Sequence, residues 1–209
     1  MTTTAPDDDA FNTFPPDQRH DRAAALAFSP ILIVAQERQD RAAEGSEPKT
    51  KVEAFLATKG RMVVKDFSPI GKISGRFGST MELETLTVFE PGHEMQKTRG
   101  LRVEITEGGR TERSNASFLD LEELEALANA VTNMQKLAGQ WDSAPPEFYS
   151  EVIFSTKGDF KLGFYQKGKD RRMFASSGIV GRASFYGETS DLPQLKAMLD
   201  KTQEKLKAQ

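Results

Sequence analysis

Two leucine stripes, each preceded by several strand-like segments, constrain the fold of this chain more than any other feature. The first stripe consists of Leu121, Leu124, Leu127, Val131, Met134 and Leu137, and the second of Leu192, Leu195, Met198, Leu199 and Leu206. Apolar residues three and four positions apart line one face of a helix, so each stripe predicts an amphipathic helix that covers an apolar surface. The order of strands and then a helix, twice, predicts an α+β fold built on antiparallel sheets.

The segments before each helix have the alternation and β-branched content of strands. Before the first long helix we predict five strands, at residues 61–67, 70–77, 81–89, 101–106 and 111–118, with a hairpin turn at Gly108-Gly109. Before the second we predict four, at residues 149–156, 160–166, 171–176 and 182–186. A short helix over residues 51–59 precedes them, and Asp120 with Glu123 predicts a capping box for the first long helix.

A short match suggests that the chain contains an internal duplication. The triplets Ala116-Ser117-Phe118 and Ala183-Ser184-Phe185 lie 67 residues apart, and each stands just ahead of a helix. We predict one repeat at about residues 61–140 and a second at about 147–207. Neither unit is large enough to be stable alone. The two are therefore expected to pack as one pseudo-symmetric domain over residues 51–209.

The first fifty residues differ from the rest in composition. Residues 1–50 hold 5 basic and 9 acidic side chains, and the stretch before residue 22 is rich in Thr, Pro and Asp, which predicts a disordered extension and linker. Residues 23–35 are uncharged but number only 13, whereas a membrane span needs about 20. Their length and basic flank are typical of an export signal, while the late start and Pro30 favour a short buried segment. An exported and a cytoplasmic location therefore both stay open, and we expect no membrane span.

Composition removes several kinds of chemistry. The chain has no cysteine, which excludes disulfides, thiolate zinc sites, iron–sulfur clusters and thiol catalysis. Its two histidines, His20 and His93, leave little for a histidine-based metal site or triad. The glycine-rich run at 71–78 lacks the order of a phosphate-binding loop and is predicted to bend strands.

The acidic residues at the start of the first long helix need no catalytic explanation. Glu122, Glu123 and Glu125 lie where negative charge stabilises the helix dipole. We therefore expect no catalytic residue, no metal and no cofactor, and the leading hypothesis is a non-catalytic binding or interaction module. A carboxylate-dependent enzyme is an alternative, because the spatial pairing of carboxylates cannot be read from a sequence.

One candidate binding site stands out in the second repeat. Along the strand at 160–166, the side chains of Lys161 and Tyr165 alternate with apolar residues and share one face with Gly163. A tyrosine flanked by cations can stack a base while the cations meet phosphates. The candidate nucleic-acid-binding residues are Lys161, Tyr165, Lys167, Lys169, Arg171 and Arg172. The alternative is that these charges solvate an edge hairpin and discourage edge pairing.

The order of strands and then a helix, repeated over residues 61–207, is similar to the PUR-repeat and Whirly-type single-stranded nucleic-acid-binding folds. The resemblance is one of topology, without a shared residue motif, so no family residue is transferred to this chain. It implies that the solvent face of a sheet binds single-stranded nucleic acid. In the first repeat the matching strand offers Arg102, Glu104 and Thr106, a mixed-charge face. A homo-oligomer is a further expectation, and Trp141 is predicted to pack against a sheet.

Overall fold

The computed structural model describes residues 47–110 and 112–208, which belong to one compact unit, Gln39–Gln209. The extension and the signal-like segment predicted within residues 1–46 lie outside the described residues. No helix of the described ranges is both long and apolar enough to cross a membrane.

The described chain forms two antiparallel sheets and three α-helices, which confirms the α+β class. The elements are α1 Lys51–Ala57, β1 Val64–Ser74, β2 Thr80–Phe89, β3 Thr98–Glu107, β4 Arg113–Asp120, α2 Leu121–Ser143, β5 Ser150–Ser155, β6 Lys161–Lys167, β7 Asp170–Ser177, β8 Ala183–Gly187 and α3 Leu192–Ala208. Sheet A has the strand order β1-β2-β3-β4, and sheet B has the order β5-β6-β7-β8. All pairs of neighbouring strands are antiparallel.

The first predicted pair of strands is in fact one long strand. Residues 61–67 and 70–77 were expected to form separate strands, but β1 runs from Val64 to Ser74 and pairs with β2 throughout. The register shifts between Pro69 and Gly71, because a bulge lets the strand continue past a proline that has no N–H to donate. The prediction of five strands before α2 was therefore wrong by one.

The inner faces of both sheets and the two leucine stripes form one continuous core, except that Leu121 at the start of the first stripe is exposed. Trp141 of α2 meets Phe164 of β6 edge to face at 5.2 Å, which confirms its predicted packing role. The largest fully buried side chains of this core are Phe160, Phe164, Phe185, Met81, Leu83, Leu101, Ile105, Leu119, Leu124, Leu127 and Leu162. Sheets A and B are therefore held together through a shared interior.

Helix α3 follows sheet B in the chain, yet it lies against β1 of sheet A. The amide of Gln194 donates to the carbonyl oxygen of Lys72 at 3.3 Å, and the ammonium of Lys201 donates to that of Ile70 at 3.4 Å. The last turn of α2, in exchange, reaches sheet B, where Asp142 pairs with Arg171 at 2.9 Å. Each long helix thus connects the two sheets.

The outer face of sheet A carries a second, smaller apolar cluster under α1. It is formed by Val52, Leu86, Val88 and Phe118, whereas Phe185 lies in the main core. The phenylalanines of the two Ala-Ser-Phe triplets therefore occupy opposite sides of their sheets. The triplet match does not mark equivalent positions, because Phe118 of β4 faces away from the main core whereas Phe185 of β8 faces into it.

The predicted capping box of α2 is not formed. Asp120 is the N-cap residue, but its side chain makes no hydrogen bond to its own helix. Its two carboxylate oxygens instead accept the backbone N–H of Lys51, each at 3.0 Å. Glu123 accepts the backbone N–H of Lys157 at 2.6 Å. Both acids thus bind distant segments, because the cap position is buried between α1 and the turn before β6.

Candidate functional site

All three tyrosines of the chain lie on the outer side of sheet B. Tyr149 stands just before β5, Tyr165 lies in β6 and Tyr186 in β8, and Phe174 of β7 lies on the same side. Their neighbours along each strand, such as Phe164 and Phe185, point into the core. We call Tyr149, Tyr165, Phe174 and Tyr186 the aromatic face.

The aromatic face is open to solvent among the described residues. Tyr149 is 55% exposed and Tyr186 is 43% exposed, while Tyr165 and Phe174 are half-buried. The rings of Tyr149 and Tyr165 are stacked, with their centroids 5.6 Å apart and an interplanar angle of 28°. Phe174 is the cross-strand partner of Gly163, so its ring lies over a position without a side chain. The four rings therefore extend over the outer side of the sheet, from the residue before β5 across β6 and β7 to β8.

Three of the predicted cationic residues border this face. Lys161 and Lys167 lie at the two ends of β6 on the outer side, and Lys169 lies in the turn to β7. All three are exposed. Within the described ranges, none has a carboxylate at ion-pair distance, so their charge is available to a ligand.

Arg172 also lies on the outer side, but its charge is partly neutralised. Its guanidinium lies 3.2 Å from Asp170 and 3.2 Å from Glu188. Glu188 in turn contacts Arg76, which lies in the turn between β1 and β2, at 3.4 Å. Two of the acids near the aromatic face, Asp170 and Glu188, are therefore engaged by arginines, whereas the three lysines have no carboxylate partner among the described residues.

Arg171 does not belong with the other five candidates. Its side chain lies on the helix side of β7, where Nε donates to the Gln166 side chain at 2.7 Å and the guanidinium pairs with Asp142. Adjacent residues of a strand face opposite sides, so Arg171 and Arg172 cannot both border one surface. The structure therefore brings together Lys161, Tyr165, Lys167, Lys169 and Arg172 only.

The hydroxyl of Tyr149 has a perturbed acidity. Desolvation raises its pKa above the usual value, and the nearby carboxylate of Glu151 raises it further by disfavouring the phenolate. The hydroxyl lies 3.4 Å from that carboxylate and donates to it. Tyr149 is therefore a neutral ring at ordinary pH.

Sequence reasoning identified Tyr165 but missed Tyr149, Phe174 and Tyr186. Each of the three lies in, or next to, a segment that was predicted as a strand. The signal that could have found them is the alternation of side chains between the two faces of a strand, combined with the pairing of residues across neighbouring strands. Cross-strand pairs share a face, and Gly163 pairs with Phe174, which pairs with Tyr186. The required register depends on the lengths of three turns.

The corresponding face of sheet A has a different character. Arg102 and Glu84 are both buried and lie 2.9 Å apart, and Arg102 also contacts Glu104 at 3.0 Å. The mixed charges expected on this strand are thus present, and Arg102 forms ion pairs with both Glu84 and Glu104. This face presents no row of rings comparable to that of sheet B among the described residues.

Carboxylates gather at one further place, a cleft between the start of α2 and the end of α3. It has a volume of about 240 Å³ and is lined by Leu121, Glu122, Glu125, Gln203 and Lys207. Glu122 forms an ion pair with Lys51, which lowers the pKa of that carboxyl. Across the described part of the chain, no group of three or more acidic or histidine side chains is placed to hold a metal ion.

Comparison of the chain with protein-family models, with curated proteins and with solved structures finds no match.

Proposed function

We propose that this protein is a non-catalytic binding module that holds single-stranded nucleic acid on the outer side of sheet B. The aromatic face is the observation that supports the proposal. Stacking on aromatic side chains contributes about 1–3 kcal/mol per base and tolerates any base, since every base has a π-face. Neighbouring strands lie about 4.8 Å apart, so rings on successive strands are spaced to meet successive unpaired bases. Bases in a duplex are already stacked and cannot use this surface.

The charges around the aromatic face favour a polyanion over a neutral ligand such as a sugar. Lys161, Lys167 and Lys169 have no acidic partner among the described residues, and they lie at both ends of β6. A backbone that crosses the sheet would pass these ammonium groups while its bases contact the rings. The net charge of the chain, −3, makes non-specific attraction of a polyanion weak. Binding is therefore expected to depend on this surface.

The order of elements also supports the proposal. Each four-stranded antiparallel sheet is followed by a long helix. This order of elements resembles that of the PUR-repeat and Whirly-type folds. We propose that the two halves arose by duplication, on the strength of this order and of the way α2 and α3 each join both sheets. The Ala-Ser-Phe triplets do not contribute, because their phenylalanines face opposite sides.

The alternative of a carboxylate-dependent enzyme has less support. A general acid near neutral pH needs a carboxyl whose pKa is raised. Glu122, in the cleft between α2 and α3, has the opposite shift because of Lys51. Of the acids beside the aromatic face, Asp170 and Glu188 are paired with arginines, and Glu151 accepts the hydroxyl of Tyr149.

The proposal is tested by fluorescence anisotropy with labelled single-stranded DNA and RNA, with a duplex of the same length as control. We expect binding at low salt and little binding to the duplex. With about three phosphate contacts, the slope of log affinity against log salt should be about −2. Absence of binding to any single strand at low salt would overturn the proposal.

Two matched pairs of variants locate the site. Tyr165→Ala should weaken binding roughly 5- to 150-fold, the equivalent of about 1–3 kcal/mol of stacking, whereas Tyr165→Phe retains the ring and should bind like the parent. Lys161→Gln should weaken binding and reduce the salt slope by about 0.7. Lys207→Gln, at the far end of α3, should do neither. Equal affinities for Tyr165→Ala and Tyr165→Phe would mean that any binding occurs elsewhere.

A further inference from the structure

We propose that β5 is a self-association surface, and that two copies of the chain pair their β5 strands antiparallel to form a continuous eight-stranded sheet. The two sheets have four edge strands, β1, β4, β5 and β8. An edge strand presents unpaired N–H and C=O groups, and stable monomers protect such edges. Three of the four edges in this structure are protected, and β5 is not.

The edge of β1 is interrupted and its backbone is occupied. The bulge at Pro69 and Gly71 breaks the regular spacing of hydrogen-bonding groups. Side chains of α3 donate to the carbonyl oxygens of Ile70 and Lys72. A second strand could not pair along this edge without displacing α3.

The edges of β4 and β8 are covered by other parts of the chain. Gly158 lies so close to the carbonyl of Phe118 in β4 that a side chain there would overlap it. At β8, a Cβ on Gly75 would lie 2.5 Å from the carbonyl oxygen of Tyr186, and the N–H of Tyr186 donates to the Ser79 hydroxyl at 3.4 Å. At each of these two edges, another segment of the chain therefore occupies a position that an added strand would need.

The edge of β5 has none of these protections. The strand contains no proline or lysine, its register with β6 is regular over all six residues, and Glu151 is its single charge. Among the described residues, no side chain donates to or accepts from its outward backbone groups. The strand therefore has the regular, weakly charged character that favours pairing.

Apolar side chains are also left incompletely buried along β5. Ile153 is 51% exposed, and Phe148 and Tyr149, just before the strand, are 74% and 55% exposed. On the inner side, Val152 and Phe154 are only half-buried, although they pack against the main core. The core of sheet B is thus unfinished at this edge, and an added strand would complete it.

The sequence of β5 is complementary to itself. Opposite residues of an antiparallel pair face the same side of the sheet. The odd-numbered residues of β5, which lie on its outer side, must therefore pair with odd-numbered residues of the second copy. A twofold axis at Ile153 places it opposite Ile153 of the partner subunit, and Val152 opposite the partner's Phe154. Glu151 then meets the partner's Ser155, so no like charges are opposed. A twofold axis at Val152 would instead place Glu151 opposite the partner's Ile153. The first register therefore favours a second copy of this chain as the occupant.

Pairing of this kind would join the two aromatic faces into one surface. That consequence rests on the proposed nucleic-acid binding, whereas the pairing itself does not. A dimer that binds no oligonucleotide would contradict the proposed function alone, and a monomer that binds oligonucleotide would contradict the pairing alone.

Sedimentation velocity of the full chain over a range of concentrations tests the pairing. We expect a species with twice the mass of one chain, which Ile153→Lys converts to the monomer because it places two ammonium groups side by side at the axis. Ile179→Lys changes an isoleucine that is 62% exposed in the turn between β7 and β8, and it should remain dimeric. A parent chain that stays monomeric at every concentration overturns the proposal, as does a folded Ile153→Lys variant that remains dimeric.

The absence of cysteine allows a second test that does not depend on a disruptive variant. Opposite residues of an antiparallel pair have Cβ atoms about 4.5–5.5 Å apart, within reach of a disulfide after small adjustments. Under mild oxidation, Ile153→Cys should form a covalent dimer in most of the protein, and Ile179→Cys should form little. Equal crosslinking by the two variants would show that Ile153 is not at the axis.

Discussion

Phe174 and Gly163 are cross-strand neighbours, and the ring of Phe174 fills the space that a side chain at position 163 would need. A Cβ at Gly163 would lie 2.7 Å from Cζ of Phe174 and would overlap the carbonyl oxygen of Val152. The glycine therefore leaves the space that the ring of Phe174 and the carbonyl of Val152 occupy. The position of Phe174 within the aromatic face therefore depends on the absence of a side chain at residue 163.

Gly163→Ala should destabilise the protein by roughly 1–3 kcal/mol, because the added methyl group must displace a ring or a backbone carbonyl. Chemical denaturation measures the change. Gly139→Ala is the matched control, since a Cβ there meets nothing within 4 Å inside α2, and it should stabilise the protein by about 0.5–1 kcal/mol. Shifts of the same sign in both variants would contradict the packing described for Phe174.

Much of the fold could be predicted from periodicity. The leucine stripes gave both long helices, and the alternation of residues gave the four strands of sheet B close to their observed bounds. Local patterns failed where a distant contact decided the outcome. The bulge at Pro69 joined two predicted strands into one because β2 pairs with both parts. The triplet match made Phe118 equivalent to Phe185, but Phe118 lies in the smaller cluster under α1 and Phe185 in the main core.

The candidate site could be predicted only within one strand. Tyr165 shared a face with Lys161 by simple alternation, which the burial pattern of β6 confirms. Tyr149, Phe174 and Tyr186 join them through the register of three strand pairs, which the sequence does not specify residue by residue. Arg171 lies on the opposite side from the other five candidates, because adjacent residues of a strand face opposite sides and a run of charges along the sequence does not show this.

Asp120→Ala should cost roughly 1.5–3 kcal/mol of stability, the range for hydrogen bonds to a charged group. The carboxylate accepts the N–H of Lys51 and is 6% exposed, so its removal leaves this one N–H of the first turn of α1 without an acceptor. Glu125→Ala, on the exposed side of α2, should change stability by no more than about 0.5 kcal/mol. Denaturant midpoints of the two variants compare the effects. A loss as small for Asp120→Ala as for Glu125→Ala would show that α1 does not depend on this contact.

Stability should fall with rising pH once free tyrosine begins to ionise. The pKa of Tyr149 is raised in the folded chain, so above pH about 10 the unfolded state has lost a proton that the folded state keeps. The unfolded state is therefore favoured progressively, until the pH reaches the folded pKa. Glu151→Gln removes one of the causes and should move the phenolate absorbance of Tyr149 to lower pH, which ultraviolet titration detects. Comparison with Tyr149→Phe identifies the part of the absorbance change that belongs to Tyr149. A titration of Tyr149 that Glu151→Gln leaves unchanged would contradict the contribution of Glu151 to its raised pKa.

Ser117 and Ser177 should behave as a coupled pair. Their hydroxyls lie 2.7 Å apart, with both residues buried, and they connect β4 of sheet A to β7 of sheet B. Ser177→Ala leaves the Ser117 hydroxyl without this partner and should cost about 1–3 kcal/mol, whereas the double variant removes both polar groups. The double variant should therefore be less destabilised than the sum of the two single variants, with a coupling energy of about 0.5–3 kcal/mol. Denaturation of all four proteins in this cycle gives the coupling directly. Simple additivity would mean that the hydrogen bond between the two hydroxyls does not help to hold the sheets together.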